Sequence, residues 1–156
     1  MKRELITNKK ANIQEFRLPR YSEIPNVGLY LEQVAKYING YLGIIGCMEL
    51  TPSMISNYVK KGIIANPIKK LYYAEQIAYL FFIAIAKNVL SMEHINELFA
   101  RQKATYENQV AYDYFCSELE KLKVYKIKKC FIGSVVEELN NIFKQACDKV
   151  FDLESM

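Results

Sequence analysis

The sequence predicts an all-α protein. Three observations carry this: apolar residues recur at intervals of three and four along most of the chain, helix start and stop signals bracket several of those stretches, and strand patterns are scarce. Half of the 156 residues are hydrophobic (51%) and 24% are charged, with only 6 Gly and 4 Pro. That mix excludes a disordered chain or a collagen-like array and is enough to bury a core. Trp is absent, and 12 Tyr with 8 Phe supply the aromatic bulk.

Residues 1–20 carry six basic and two acidic side chains with little apolar period, and read as a loose basic arm. In LPRYSEIPNVG, Pro19, Pro25 and Gly28 set turns and exclude a helix. From 29 to 42, LYLEQVAKYINGYL puts Leu31, Val34, Ala35, Ile38 and Leu42 on one helical face. Thr51-Pro52 opens a short second helix, roughly 52–61, as a hydroxyl cap with proline at the first helical position; Gly62 ends it. Residues 63–73, with Pro67, read as a turn or small hairpin. A third helix, from about Tyr73 to Asn88, is apolar on nearly every side and is expected at the centre of the core. Ser91 caps a fourth, with His94 at its third position and Ile95, Leu98 and Phe99 as its buried face. Two more are expected: about 104–123, presenting Val110, Tyr114, Leu119 and Leu122, and about 131–152, with a long stripe from Ile132 to Val150.

Several function classes find no support in these residues. The N-terminus lacks an apolar leader core, and the longest apolar run, Ile77 to Ala86, is ten residues, about half of the ~20 a membrane span needs. A cytoplasmic protein with no membrane role is expected. Cys47, Cys116, Cys130 and Cys147 form no CxxC pair, and His94 alone cannot complete a zinc set with them. No metal or other cofactor is expected. Phosphate-loop, dinucleotide and zinc-protease motifs are absent. The carboxylates of Glu118/Glu120 and Glu137/Glu138 point apart on helices and read as solvated. His94 has no nucleophile or second titratable group at an obvious spacing. An enzyme is not expected.

Charge distribution points elsewhere. Between Leu50 and Ala74 stand four lysines, Lys60, Lys61, Lys69 and Lys70, and no acidic residue, while residues 21–49 and 75–100 each have one Lys and three Glu. A short helix closed by lysines and followed by a basic turn has the layout of a recognition helix and wing. Met54, Ile55 and Tyr58 are spaced to pack inward, leaving Ser53, Ser56, Asn57 and Lys60 outward; Asn bonds adenine in bidentate fashion, and Ser bonds phosphates or bases. The same lysines equally suit a solvated surface around a turn, and charge and spacing do not separate the two.

The stretch from Thr51 to Leu98 resembles the DNA-binding domain of MerR-type regulators. The counterparts are Tyr58, Gly62-Ile63-Ile64, Pro67, Lys69, Lys70, Tyr72 or Tyr73, Ile77, Leu80, and Leu90-Ser91 with Ile95. Across about residues 18–100 the chain is similar to small bacterial proteins classed as domain of unknown function 1836 (YkrK-like), through LPRYSEIPNVGLYLEQV, TPSMISNYVK, KKLYYAEQIAYL and LSMEHI in that order. The resemblance implies a MerR-like winged helix-turn-helix over 21–100, with 1–20 as arm and 101–156 as a C-terminal helical region for dimerisation or effector binding. It departs from MerR proteins in a shorter wing built on Lys69-Lys70, and in Ser56-Asn57-Tyr58 where they carry Arg-Tyr-Tyr.

The expected function is a DNA-binding transcriptional regulator. Ser53, Ser56, Asn57 and Lys60 would face the groove of double-stranded DNA, and Lys61, Lys69 and Lys70 would contact phosphates. Tyr58 and Tyr73 would shape or flank that surface, while Lys9, Lys10, Arg17 and Arg20 would add backbone contacts. The stripe at 132–150 would pair two chains or fold back on helix 104–123. No effector can be named. The alternative is a helical protein–protein interaction module that docks a partner through Tyr106, Tyr112 and Tyr125.

Overall fold

The computed structural model describes residues 16–45, 47 and 49–124. Residues 16–20, without regular secondary structure, lead into a 3-10 turn at Tyr21–Glu23. Then follow strand β1 (Leu29–Tyr30), helix α1 (Leu31–Leu42), a 3-10 turn at Gly43–Ile45, helix α2 (Pro52–Lys60), strand β2 (Leu71–Tyr72) and helices α3 (Ala74–Ala86), α4 (Met92–Thr105) and α5 (Asn108–Val124). The described chain is mostly helical, with one small antiparallel sheet.

Helix starts follow local chemistry. Thr51 Oγ1 accepts from the Met54 N–H, and Ser91 Oγ from the His94 N–H, each at 3.2 Å. Helices α1 and α3 start differently, at YLEQ and YAEQ. A tyrosine occupies the cap position, and the glutamine three residues on accepts its N–H: Tyr30 to Gln33 Oε1 at 2.9 Å, Tyr73 to Gln76 Oε1 at 2.8 Å. This satisfies a donor that the helix itself leaves open.

Helix α3 is the centre of the core, burying Ile77, Ala78, Tyr79, Leu80, Phe81, Ile83, Ala84 and Ala86. It packs against α1 and α5, while α2 packs on α1 and α4 on α5. Phe81 is fully enclosed and meets three tyrosine rings, Tyr37 and Tyr41 of α1 and Tyr112 of α5, at centroid separations of 6.0, 5.6 and 6.3 Å. Aromatic pairs at such distances add about 0.5–1.5 kcal/mol each beyond the area they bury.

The expected loose arm ends earlier than residue 20. Phe16, Leu18 and Pro19 are buried, and α5 holds the segment beside them. The Tyr112 hydroxyl donates to the Pro19 carbonyl at 2.9 Å, and Asp113 Oδ1 accepts the Tyr21 N–H at 2.8 Å. Arg20 donates to the Asp113 carbonyl (2.8 Å), Ser117 Oγ (2.7 Å) and Glu120 Oε2 (3.0 Å).

Three further expectations need correction. Leu29 and Tyr30 belong to a strand rather than to the first helix: Leu29 pairs with Tyr72 and Tyr30 with Leu71. The partner lies some forty residues away, so no local pattern reveals it. Gly28 makes the approach feasible, since a Cβ there would stand 2.7 Å from the Leu71 Cβ. The fifth helix begins at Asn108, because α4 runs on to Thr105. It buries Tyr112 and Cys116, with Phe115 and Leu119 partly covered, while Val110 and Tyr114 stay 54% and 66% exposed. Residues 112, 115, 116 and 119 also share a helical face; α5 carries two apolar stripes, and the N-terminal segment and Phe81 cover this one. Leu98, expected inside, is 42% exposed.

Among the described residues no helix is long and apolar enough to cross a membrane. The expected helix at 131–152, Tyr125, Cys130 and Cys147, and most of the expected arm lie outside the described residues.

Candidate nucleic-acid interface

The candidate surface is carried by α1, α2 and the loop between α2 and α3. Its first fixed point is the α1–α2 connection. Asn39 Nδ2 donates to the Leu50 carbonyl at 2.9 Å, and Asn39 Oδ1 accepts the Leu50 N–H at 2.8 Å. One side chain thus sets where α2 begins, and Leu50 itself is fully buried.

Within α2, the three- and four-residue spacing decides which side faces water. Ile55 and Tyr58 are buried and Met54 is half-buried. Ser53, Asn57 and Lys60 are exposed, Ser56 is half-buried, and Lys61 just beyond the helix is exposed. Tyr58 is a core residue at 6% exposure, so it shapes the surface from beneath. Burial pushes its hydroxyl above the ordinary tyrosine range.

Gly62 then turns the chain with a φ of +70°, a conformation glycine adopts without the Cβ penalty. Ile63 and Ile64 anchor the loop in the core. The next stretch is held by Gln76, whose Nε2 donates to the carbonyls of Ala65 and Asn66, both at 3.1 Å. Beyond Pro67 the chain reverses in a two-residue turn: Ile68 and Leu71 exchange both backbone bonds, at 3.0 and 2.9 Å. Lys69 and Lys70 are the two central residues, with φ of +50° and +67°. Positive φ at both positions marks a type I′ turn, which favours Asn and Gly. Two lysines here cost backbone energy, roughly 1–2 kcal/mol each.

Both lysines project into solvent, and Ile68 beside them is 63% exposed. Tyr73, half-buried, caps α3. The turn was expected within 63–73, but β1, from ahead of α1, forms the sheet with β2. Helix α1 therefore supports both α2 and the sheet below the turn. Its Glu32 shares a shallow recess with Lys70, Tyr30 and Pro67.

Arg17 and Arg20 each have partners within the fold. Arg17 pairs with Glu23 at 2.7 Å, and Arg20 is committed to α5. The bond from Arg17, with a second from the Arg20 N–H, holds the Glu23 carboxyl below the usual carboxylate range. Tyr112, expected among docking tyrosines, is 5% exposed and bonded to Pro19. Sequence reasoning missed Asn39 and Gln76, the two side chains that hold the start of α2 and the loop after it. Gln76 had a visible signal in its place three residues after a helix start; Asn39 had none.

Among the described residues no group of three or more His, Cys, Asp or Glu is arranged to hold a metal ion. No curated protein and no solved structure matches the chain. A family model described as a domain of unknown function (DUF1836) matches residues 19–115, more than half of the sequence. The matched span opens at Pro19 and takes in Tyr112, so it includes both partners of the bond that fastens the N-terminal segment to α5, as well as the Asn39 and Gln76 contacts. The chain belongs to the DUF1836 family.

Proposed function

We propose that this protein binds double-stranded DNA as a transcriptional regulator, through a winged helix-turn-helix of the MerR type. Helices α1 and α2 form the helix pair, the turn at Lys69 and Lys70 is the wing, and β1 closes the sheet beneath it. Asn57, Ser53, Ser56 and Lys60 face the major groove, while Lys61, Lys69 and Lys70 rest on phosphates.

One observation carries the reading. Lys60, Lys61, Lys69 and Lys70 are all exposed, none forms an ion pair among the described residues, and no acidic residue stands between Leu50 and Ala74 to offset them. A basic surface left without internal partners suits an external polyanion. The strain at Lys69 and Lys70 adds weight, because Asn-Gly would build the same turn at lower energy.

The test is binding of the full chain to a labelled duplex by fluorescence anisotropy across a salt series. Affinity should fall linearly on a log–log plot, with a slope of about 0.9 per phosphate contacted. Lys69→Ala with Lys70→Ala should weaken binding to every sequence alike, and Asn57→Ala should relax base preference by about 1–3 kcal/mol. Absence of binding at low salt, or a slope unchanged by the lysine pair, overturns the proposal. In the same reading two chains meet a two-fold site, paired through 131–152, which light scattering would register as a dimer.

A further inference from the structure

We infer that residues 131–152 of this same chain lie along the groove between α3, α4 and α5 and complete the core on that side. The inference does not rest on DNA binding, because no residue of α2 or of the turn at Lys69 and Lys70 lines the groove.

The groove has the character of an unfinished core. It encloses about 320 Å³, and its wall is aromatic, with the Phe82 ring centroid 5.5 Å from that of Phe99 and 4.9 Å from that of Phe115. Phe82 and Phe115 are only half-buried, and Leu98 and Tyr114 on the same lining are exposed. Eight large apolar side chains stay exposed among the described residues, and four of them, Leu98, Tyr106, Val110 and Tyr114, belong to α4, its C-terminal cap and α5. Val110 and Tyr114, four residues apart, share the stripe of α5 that is left facing water. Exposed apolar surface gathered in one place marks a contact.

The chain itself carries a segment with the chemistry and the reach to make that contact. Ile132, Val136, Leu139, Phe143, Ala146 and Val150 recur at alternating intervals of four and three, an apolar stripe that needs a partner. Helix α5 ends at Val124, so six residues, 125–130, connect it to this segment; neighbouring helices in bundles are joined by about 2–8. Every α5 residue on the groove, from Asn108 to Glu118, precedes Val124, so a segment that doubles back antiparallel to α5 passes along the whole of it. As a helix, 131–152 would be about 33 Å long against about 26 Å for α5, which suffices.

The charges agree. No lysine or arginine lines the groove, and Glu118, the one charged residue there, is paired with Lys121 at 2.6 Å. A polyanion would find no counter-charge, whereas an apolar stripe needs none. The short connection also presents the segment at an effective concentration of order mM, ahead of any free occupant. Val135 and Ile142 make the stripe wider than a two-position seam, so covering the groove and pairing two chains do not exclude one another.

The test is photo-crosslinking of the full chain in the absence of DNA, with p-benzoylphenylalanine in place of Tyr114 and the linked peptides identified by mass spectrometry. The expected product joins position 114 to a peptide within 131–152 and migrates at the mass of one chain. The same reagent in place of Tyr30, exposed on β1 and off the groove, should give no such product. Leu139→Asp with Phe143→Asp should cut the yield about fivefold or more, and Asn141→Asp, which is off the stripe, should leave it unchanged. Circular dichroism verifies that each variant is folded. Absence of a link to 131–152, a link that joins two chains, or a yield that the double variant leaves unchanged overturns the inference. A link between chains would assign the groove to a second copy. Because no DNA is present, these outcomes are separate from the success or failure of DNA binding.

Discussion

The carboxamide of Asn39 is bonded to both polar atoms of the Leu50 peptide, donating to its carbonyl at 2.9 Å and accepting its N–H at 2.8 Å. A side chain on α1 thereby acts as a strand partner for the residue that leads into α2. Because Leu50 is fully buried, water does not readily replace either bond. Asn39→Ala should cost about 2–3 kcal/mol, two net hydrogen bonds plus the penalty for stranding their partners. Urea denaturation followed by circular dichroism measures it. A loss below about 0.5 kcal/mol, the size of an ordinary surface change, would contradict this account of how the two helices are set.

The Lys69–Lys70 turn offers a test in which stability and the proposed DNA binding move in opposite directions. Lys69→Asn with Lys70→Gly places preferred residues at two left-handed positions, and should stabilise the fold by about 1–2 kcal/mol. The same double variant should lower the salt slope of DNA binding by about 1.8, two phosphate contacts at 0.9 each. Denaturant midpoints and the anisotropy series read the two effects independently.

Arg20 behaves as a structural residue in this fold. Arg20→Ala removes bonds to the Asp113 carbonyl, Ser117 and Glu120, and should destabilise by about 1–3 kcal/mol. The salt slope of DNA binding should stay unchanged, since the guanidinium is held by α5. A reduced slope would return Arg20 to the phosphate-contacting group.

Stability should fall in alkali. Burial pushes the hydroxyls of Tyr21, Tyr37, Tyr58, Tyr72, Tyr79 and Tyr112 above the ordinary tyrosine value of 10.0. A group whose folded pKa is raised retains its proton in the folded state after the unfolded chain has lost it. Its stabilising contribution is therefore complete below pH 10 and declines as pH rises further. Each such tyrosine contributes up to about 1.4 kcal/mol per pH unit. Tyr112→Phe should flatten that decline by close to one proton, and should cost about 1 kcal/mol at pH 7 through loss of the bond to Pro19. Urea midpoints between pH 7 and 11 provide the comparison.

The amino-acid sequence by itself determined the helical class, the central place of α3, the Thr51 and Ser91 caps, the stop at Gly62 and the outward face of α2. Each depends on residues within a turn or two of one another, where spacing and side-chain chemistry decide the outcome. Tertiary structure alone decided which of two apolar stripes on α5 would be buried, because that depends on what packs against it. The same holds for the β1–β2 pairing, for the commitment of Arg17 and Arg20 to carboxylates, and for the burial of Tyr112. Arg20 and Glu120 are a hundred residues apart in the chain and 3.0 Å apart in space. Composition counts both as charges; only the fold shows that they pair with one another, while Lys60, Lys61, Lys69 and Lys70 form no ion pair among the described residues.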